Sequence, residues 1–137
     1  MILITGGARS GKSRLAEQLA TQQGDKVLYI ATSIVNDDEM AERITIHQQT
    51  RPATWRTHEG YSALGWVIRE QSASCDAIML ECITTMITNL MFDQTGDIPA
   101  EEMDFTAIEE CITAEIDDLI AACLVCDCPV YLVTNEV

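Results

Sequence analysis

Residues 6 to 13 read Gly6-Gly7-Ala8-Arg9-Ser10-Gly11-Lys12-Ser13, a full G-x-x-x-x-G-K-S string. The apolar run Met1-Ile2-Leu3-Ile4 precedes it, and Arg14-Leu15-Ala16-Glu17-Gln18-Leu19-Ala20 follows with good helix formers. A β-branched run, a glycine loop and a helix together are the strand–loop–helix unit that this pattern requires. Glycines let successive backbone N–H groups converge on phosphate oxygens with no Cβ in the way. The first turn of the helix adds its positive dipole end. Lys12 then reaches the β- and γ-phosphates and the Ser13 hydroxyl ligates Mg²⁺, so the string predicts a nucleoside triphosphate site. It also constrains the fold, because such a loop sits at the carboxyl edge of a parallel sheet.

The remaining composition fits one domain over residues 1–137. Hydrophobic residues make up 47%, yet no apolar run approaches the ~20 residues that cross a bilayer. Four apolar residues before the loop are too few for a signal peptide. Six cysteines (Cys75, Cys82, Cys111, Cys123, Cys126, Cys128) are expected as free thiols, since a nucleotide loop points to the reducing cytoplasm. The net charge of −14 is uneven: of the basic residues only Arg69 lies beyond Arg56, against sixteen acids there. Anions are therefore held by the N-terminal half, nucleic-acid binding is not expected, and the acidic half reads as solvated helix faces.

Periodicity gives alternating strands and helices. Strands are predicted over 1–5, 26–31, 77–80 and 129–134; helices over 12–23, 37–49, 61–71, 83–92 and 100–123. The last helix presents Phe105, Ile108, Ile112, Ile116, Leu119 and Ile120 on one face. Near-continuous apolar strands between helices mean a mainly parallel sheet in a three-layer α/β fold.

Ligands in such sheets collect beyond the carboxyl ends of the strands. Glu81 follows Ala77-Ile78-Met79-Leu80, where a P-loop protein places an acid that engages Mg²⁺ or its water; Glu136, after the last strand, is a weaker candidate. Cys123-x-x-Cys126-x-Cys128 lacks the four ligands of a zinc site and reads as small core side chains. His47 falls on the predicted second helix, i+7 from Met40 and i+3 from Ile44, with Arg43 and Arg51 a turn away on each side. By spacing alone a satisfied core histidine is the more frequent outcome. His58, in a predicted loop beside Glu59, has less support as a functional residue. At this level a P-loop kinase of some small molecule, or a nucleotide-binding remnant without catalysis, also accounts for the residues.

Several blocks go beyond the loop. Tyr29-Ile30-Ala31-Thr32-Ser33, Asp37-Asp38-Glu39-Met40, Arg43-Ile44-x-x-His47, and Arg51-Pro52-x-x-Trp55-Arg56-Thr57-x-Glu59 are four of them. Leu80-Glu81-Cys82-Ile83-Thr84-Thr85-Met86 and Val133-Thr134-Asn135-Glu136-Val137 complete the set. Together with the loop they resemble the bifunctional adenosylcobinamide kinase/adenosylcobinamide-phosphate guanylyltransferases of cobalamin assembly, from the first residue to the last. The resemblance implies a guanylylated His47. It implies GTP contacts at Gly6, Gly7, Ala8, Arg9, Ser10, Gly11, Lys12 and Ser13, at Ala31, Thr32 and Ser33, at Gln48, Gln49, Thr50 and Arg51, and at Glu59 and Glu81. It further implies GTP and ATP as substrates, Mg²⁺ on Ser13 and Glu81, a corrinoid acceptor, a RecA-like fold and a cytoplasmic homotrimer. The family continues past the Thr-Asn-Glu-Val block with a glycine-containing loop, a helix and a last strand, so a sheet short of that C-terminal strand is expected here.

Overall fold

The structure is a computed structural model that describes residues 1–7, 9–33 and 52–135. The predicted helix over 37–49 lies outside the described residues, as do Ala8, His47, Gln48, Gln49, Thr50, Arg51 and Glu136. The described elements run in the order β1 (Ile2–Gly6), α1 (Lys12–Gln23), β2 (Val27–Ala31), β3 (Arg56–Glu59), α2 (Leu64–Gln71), β4 (Ala77–Glu81), α3 (Ile83–Thr95), α4 (Phe105–Val125) and β5 (Val130–Asn135). Single 3₁₀ turns lie at Ser72–Ser74 and Ala100–Glu102. Every strand pair is parallel and the spatial order is β1-β5-β4-β2-β3. The expected parallel α/β class is the observed one.

The inner strands β2, β4 and β5 read as unbroken apolar runs because both of their faces are covered. Alternation divides each of them between two cores. Val27, Tyr29, Ala77, Met79, Tyr131 and Val133 pack with Ile4 beneath α1, where Ala16 and Ala20 let the helix lie close to the sheet. Leu28, Ile30, Ile78, Leu80, Val130 and Leu132 face the opposite way, against Leu64 and Ile68 of α2, Met86 and Leu90 of α3, and Leu119 and Ala122 of α4. At about 1.5–3 kcal/mol for each large apolar side chain buried, this double core is what holds the sheet between its helices.

Three local readings need correction. β3 was expected as loop; Arg56-Thr57-His58-Glu59 is instead a strand bonded to β2, with His58 half-buried. A polar edge strand carries no apolar alternation, so hydrophobic patterning misses it. The long helix starts at Phe105 rather than Ala100, because the Asp104 carboxylate accepts from Ala107 N (3.1 Å) and caps it there. Phe105 is then 64% exposed, not a core residue, and burial on α4 falls on Leu119, Ala122 and Cys123. α3 runs past Phe92 to Thr95 and is closed by Gly96 at φ 50°, whose N–H donates to Phe92 O.

Candidate nucleotide site

The glycine loop leaves the carboxyl end of β1 and turns directly into α1. Gly11 holds φ +86°, a left-handed conformation that glycine adopts without strain, and its carbonyl accepts from Leu15 N at 3.0 Å to begin the helix. At Gly6 the approach is also close: a Cβ there would stand 2.8 Å from Ser10 Oγ, and that hydroxyl would have to turn away. Lys12, on the first turn, donates from Nζ to Gly7 O at 2.9 Å. Its ammonium therefore lies over the loop it belongs to, where a phosphate would be cradled.

The sheet brings the other sequence candidates to the same edge. Gly6, Ala31, Glu59 and Glu81 are the last residues of β1, β2, β3 and β4. Ala31 is in register with Glu59 on one side and with Glu81 on the other. Two acids thus flank a methyl group across three neighbouring strands, on the face that α1 covers, with strand centres about 4.8 Å apart. Thr32 and Ser33 continue from β2; Gly60 N donates to Ala31 O at 2.9 Å and holds the β3 exit against it.

Thr32 is buried, and its hydroxyl is committed to the fold. Oγ1 donates to Cys82 O (2.7 Å) and accepts from Cys82 N (2.8 Å), while Thr32 N donates to Glu81 O (3.0 Å) and Asn89 Nδ2 donates to Thr32 O (2.8 Å). These bonds tie the end of β2 to the strand–helix junction after Glu81, so the acid is carried on a braced backbone.

Glu81 is the centre of the arrangement. The Ser13 hydroxyl of α1 donates to its Oε1, and the Tyr29 hydroxyl of β2 donates to its Oε2 at 2.8 Å. Loop serine and strand-end acid, far apart in sequence, are therefore in direct contact. Tyr29 escaped the sequence reading because it sits inside an apolar run. The available signal was a lone aromatic with a polar tip in an otherwise aliphatic strand that ends at the ligand edge.

Among the described residues no three His, Cys, Asp or Glu side chains are grouped to hold a metal on their own. A serine hydroxyl against a carboxylate is instead a pair of hard oxygens, the donor set that suits Mg²⁺ shared with phosphate oxygens. The Cys123-x-x-Cys126-x-Cys128 thiols lie elsewhere: Cys126 Sγ donates to Cys123 O and Cys128 O where α4 passes into β5, away from the carboxyl edge. No helix among the described residues is long and apolar enough to cross a membrane.

The parallel sheet, the cradle at Gly6–Ser13 and the acid on β4 define a P-loop nucleotide-binding protein of the α/β class. Comparison with known proteins narrows this. The family model "Cobinamide kinase / cobinamide phosphate guanyltransferase" matches residues 2–137, and the chain belongs to that family. It is 54% identical over 137 residues to the bifunctional adenosylcobalamin biosynthesis protein CobU of Escherichia coli K12, covering all of this chain and 75% of that protein. Identity to CobU of Salmonella typhimurium LT2 is 56% over 139 residues, again with all of this chain and 75% of the relative covered. The bifunctional protein CobP of Pseudomonas aeruginosa PAO1 is 48% identical over 89 residues, which is 65% of this chain and 51% of that one.

Proposed function

We propose that this chain phosphorylates adenosylcobinamide with a nucleoside triphosphate and transfers GMP from GTP to adenosylcobinamide phosphate through His47. The observation that carries the phosphoryl-transfer half is the contact of the loop serine with the strand-end acid, beside the Lys12 ammonium. Membership of the family over residues 2–137 supports the choice of acceptor and the second activity.

In the kinase step the acceptor hydroxyl oxygen attacks the γ-phosphorus and gives up its proton to solvent, the bond to the β–γ bridging oxygen breaks, and the nucleoside diphosphate leaves. Lys12 and the backbone N–H groups of the loop stabilise charge spread over the transferring group, so position and electrostatics do most of the work. Ser13 and Glu81 would hold Mg²⁺, which when bound neutralises the β- and γ-oxygens. In the second activity a neutral imidazole nitrogen of His47 attacks the α-phosphorus of GTP and pyrophosphate departs. A phosphate oxygen of the phosphorylated acceptor then attacks the same phosphorus, the P–N bond breaks, and free histidine is restored. Imidazole suits this role because it is substantially unprotonated near neutral pH. Glu59, Ser33 and the segment Gln48-Gln49-Thr50-Arg51 are proposed as further GTP contacts, and a cytoplasmic homotrimer as the working assembly.

The test uses GTP labelled at the α-phosphate. Wild-type protein should acquire acid-labile label, and His47→Asn should acquire none while still phosphorylating adenosylcobinamide. Label that persists in His47→Asn would overturn the assignment of the nucleophile. Phosphorylation of a different acceptor with no protein label would overturn the acceptor and the second activity together.

A further inference from the structure

We infer that Tyr29 is a positioning residue for the nucleotide site: its hydroxyl holds one oxygen of Glu81 in place so that the other stays aimed at Ser13. This deepens the reading of Ser13 and Glu81 as the Mg²⁺ pair and rests on it.

The geometry is specific. Tyr29 is in register with Met79, two residues before Glu81 on the neighbouring strand, and both side chains lie on the α1 face. The ring therefore runs diagonally along the sheet beneath α1, and its hydroxyl meets Glu81 Oε2 at 2.8 Å. Only 6% of Tyr29 is exposed. A buried phenol needs a partner, and a backbone carbonyl would serve for stability alone. Here the partner is the carboxylate at the ligand edge, one of whose two oxygens is already engaged by the loop serine.

That division has a consequence when nucleotide and metal arrive. The Ser13 hydroxyl has two lone pairs, so it can offer one to the cation and keep its proton on Glu81 Oε1, provided that Glu81 stays in place. A glutamate held by Ser13 alone samples more rotamers, and the serine must then be re-aimed for each binding event. With Tyr29 on Oε2, Oε1 stays pointed at the loop and fixes the serine. The tyrosine thus lowers the ordering cost of metal-assisted binding without touching nucleotide itself. Tyr29 shares the core beneath α1 with Ala16, Ala20 and Met79, and burial there limits how far its ring can move.

The test is Tyr29→Phe, which keeps the ring and deletes one oxygen. Binding of a fluorescent GTP analogue is followed as Mg²⁺ is titrated, and again in EDTA. The half-saturating Mg²⁺ concentration should rise about 5- to 20-fold, toward the low end of what a hydrogen bond to a charged group is worth, because the tyrosine acts only through Glu81. Affinity in EDTA should not change. In a Glu81→Gln background the same substitution should add nothing further. A variant whose urea midpoint falls while its Mg²⁺ titration stays at the wild-type value would overturn the proposal in favour of a purely structural tyrosine. So would an equal loss of affinity in EDTA, or an equal shift in the Glu81→Gln background. Wild-type binding with no Mg²⁺ dependence would overturn the reading of Ser13 and Glu81, and this inference with it; a normal wild-type titration with an unmoved variant overturns this inference alone.

Discussion

Lys12 bonds to Gly7 O, a contact inside its own loop that this half-buried side chain can exchange for phosphate oxygens at little cost. Its charge should therefore matter for ligand and little for folding. Lys12→Ala is expected to weaken triphosphate binding and slow phosphoryl transfer by about 10²–10³-fold, the scale of removing one preorganised charge or donor. The urea midpoint should move by less than about 0.5 kcal/mol in stability. A binding isotherm and a denaturation curve decide it; a large loss of stability at unchanged affinity would contradict this division of labour. Most site residues at this scale were legible in the sequence, because glycine, lysine and serine have fixed duties in the loop. Tyr29 and the clamp by Thr32 were not, since each depends on what a neighbouring strand places beside it. Pattern within one segment carries no information about that.

Among the elements, α2 and α4 approach most closely at Gly65. A Cβ there would stand 2.8 Å from Asp118 O and would press on the Asp118 carboxylate, which also pairs with Arg69 at 2.8 Å. Gly65→Ala should therefore cost about 1–3 kcal/mol, the range for overpacking a tight interface. Nucleotide affinity of the folded variant should stay the same, because these helices cover the face opposite α1. Calorimetry or urea unfolding checks the first statement, and an unshifted midpoint would show that the two helices can part without strain. α1 was readable to the residue, since loop, cap and apolar spacing agree there. β3 was not, because its existence depends on pairing with β2 rather than on its own polar sequence. The start of α4 was missed for a smaller reason: Asp104 was counted as one more acid in a helix, when its place before an apolar turn made it a cap.

The molecule as a whole should lose stability in alkali. Burial first, and the neighbouring Cys126 second, push Cys123 from 9.0 up to about 11 and Cys128 up to about 12. Both thiols are protonated in either state below pH about 9, so stability there is intact. Between about 9 and about 12 the unfolded chain sheds these protons before the native one does, and the native state weakens. The urea midpoint should fall over that window, and the double substitution Cys123→Ala/Cys128→Ala should flatten the fall; identical slopes would refute it. The strand order has a temporal consequence. β1 carries the glycine loop and β4 carries Glu81, but the two never bond to each other; β5 stands between them. During synthesis the loop emerges first and the acid later, yet no strand joins β1 to β4 until residues 130–135 leave the ribosome. Before then Ser13 and Glu81 meet only through the packing of α1, so a triphosphate gains its full hold on the nascent chain by mass action after that strand is inserted. Any change that delays β5 leaves β1, an apolar strand made long before it, waiting for its partner.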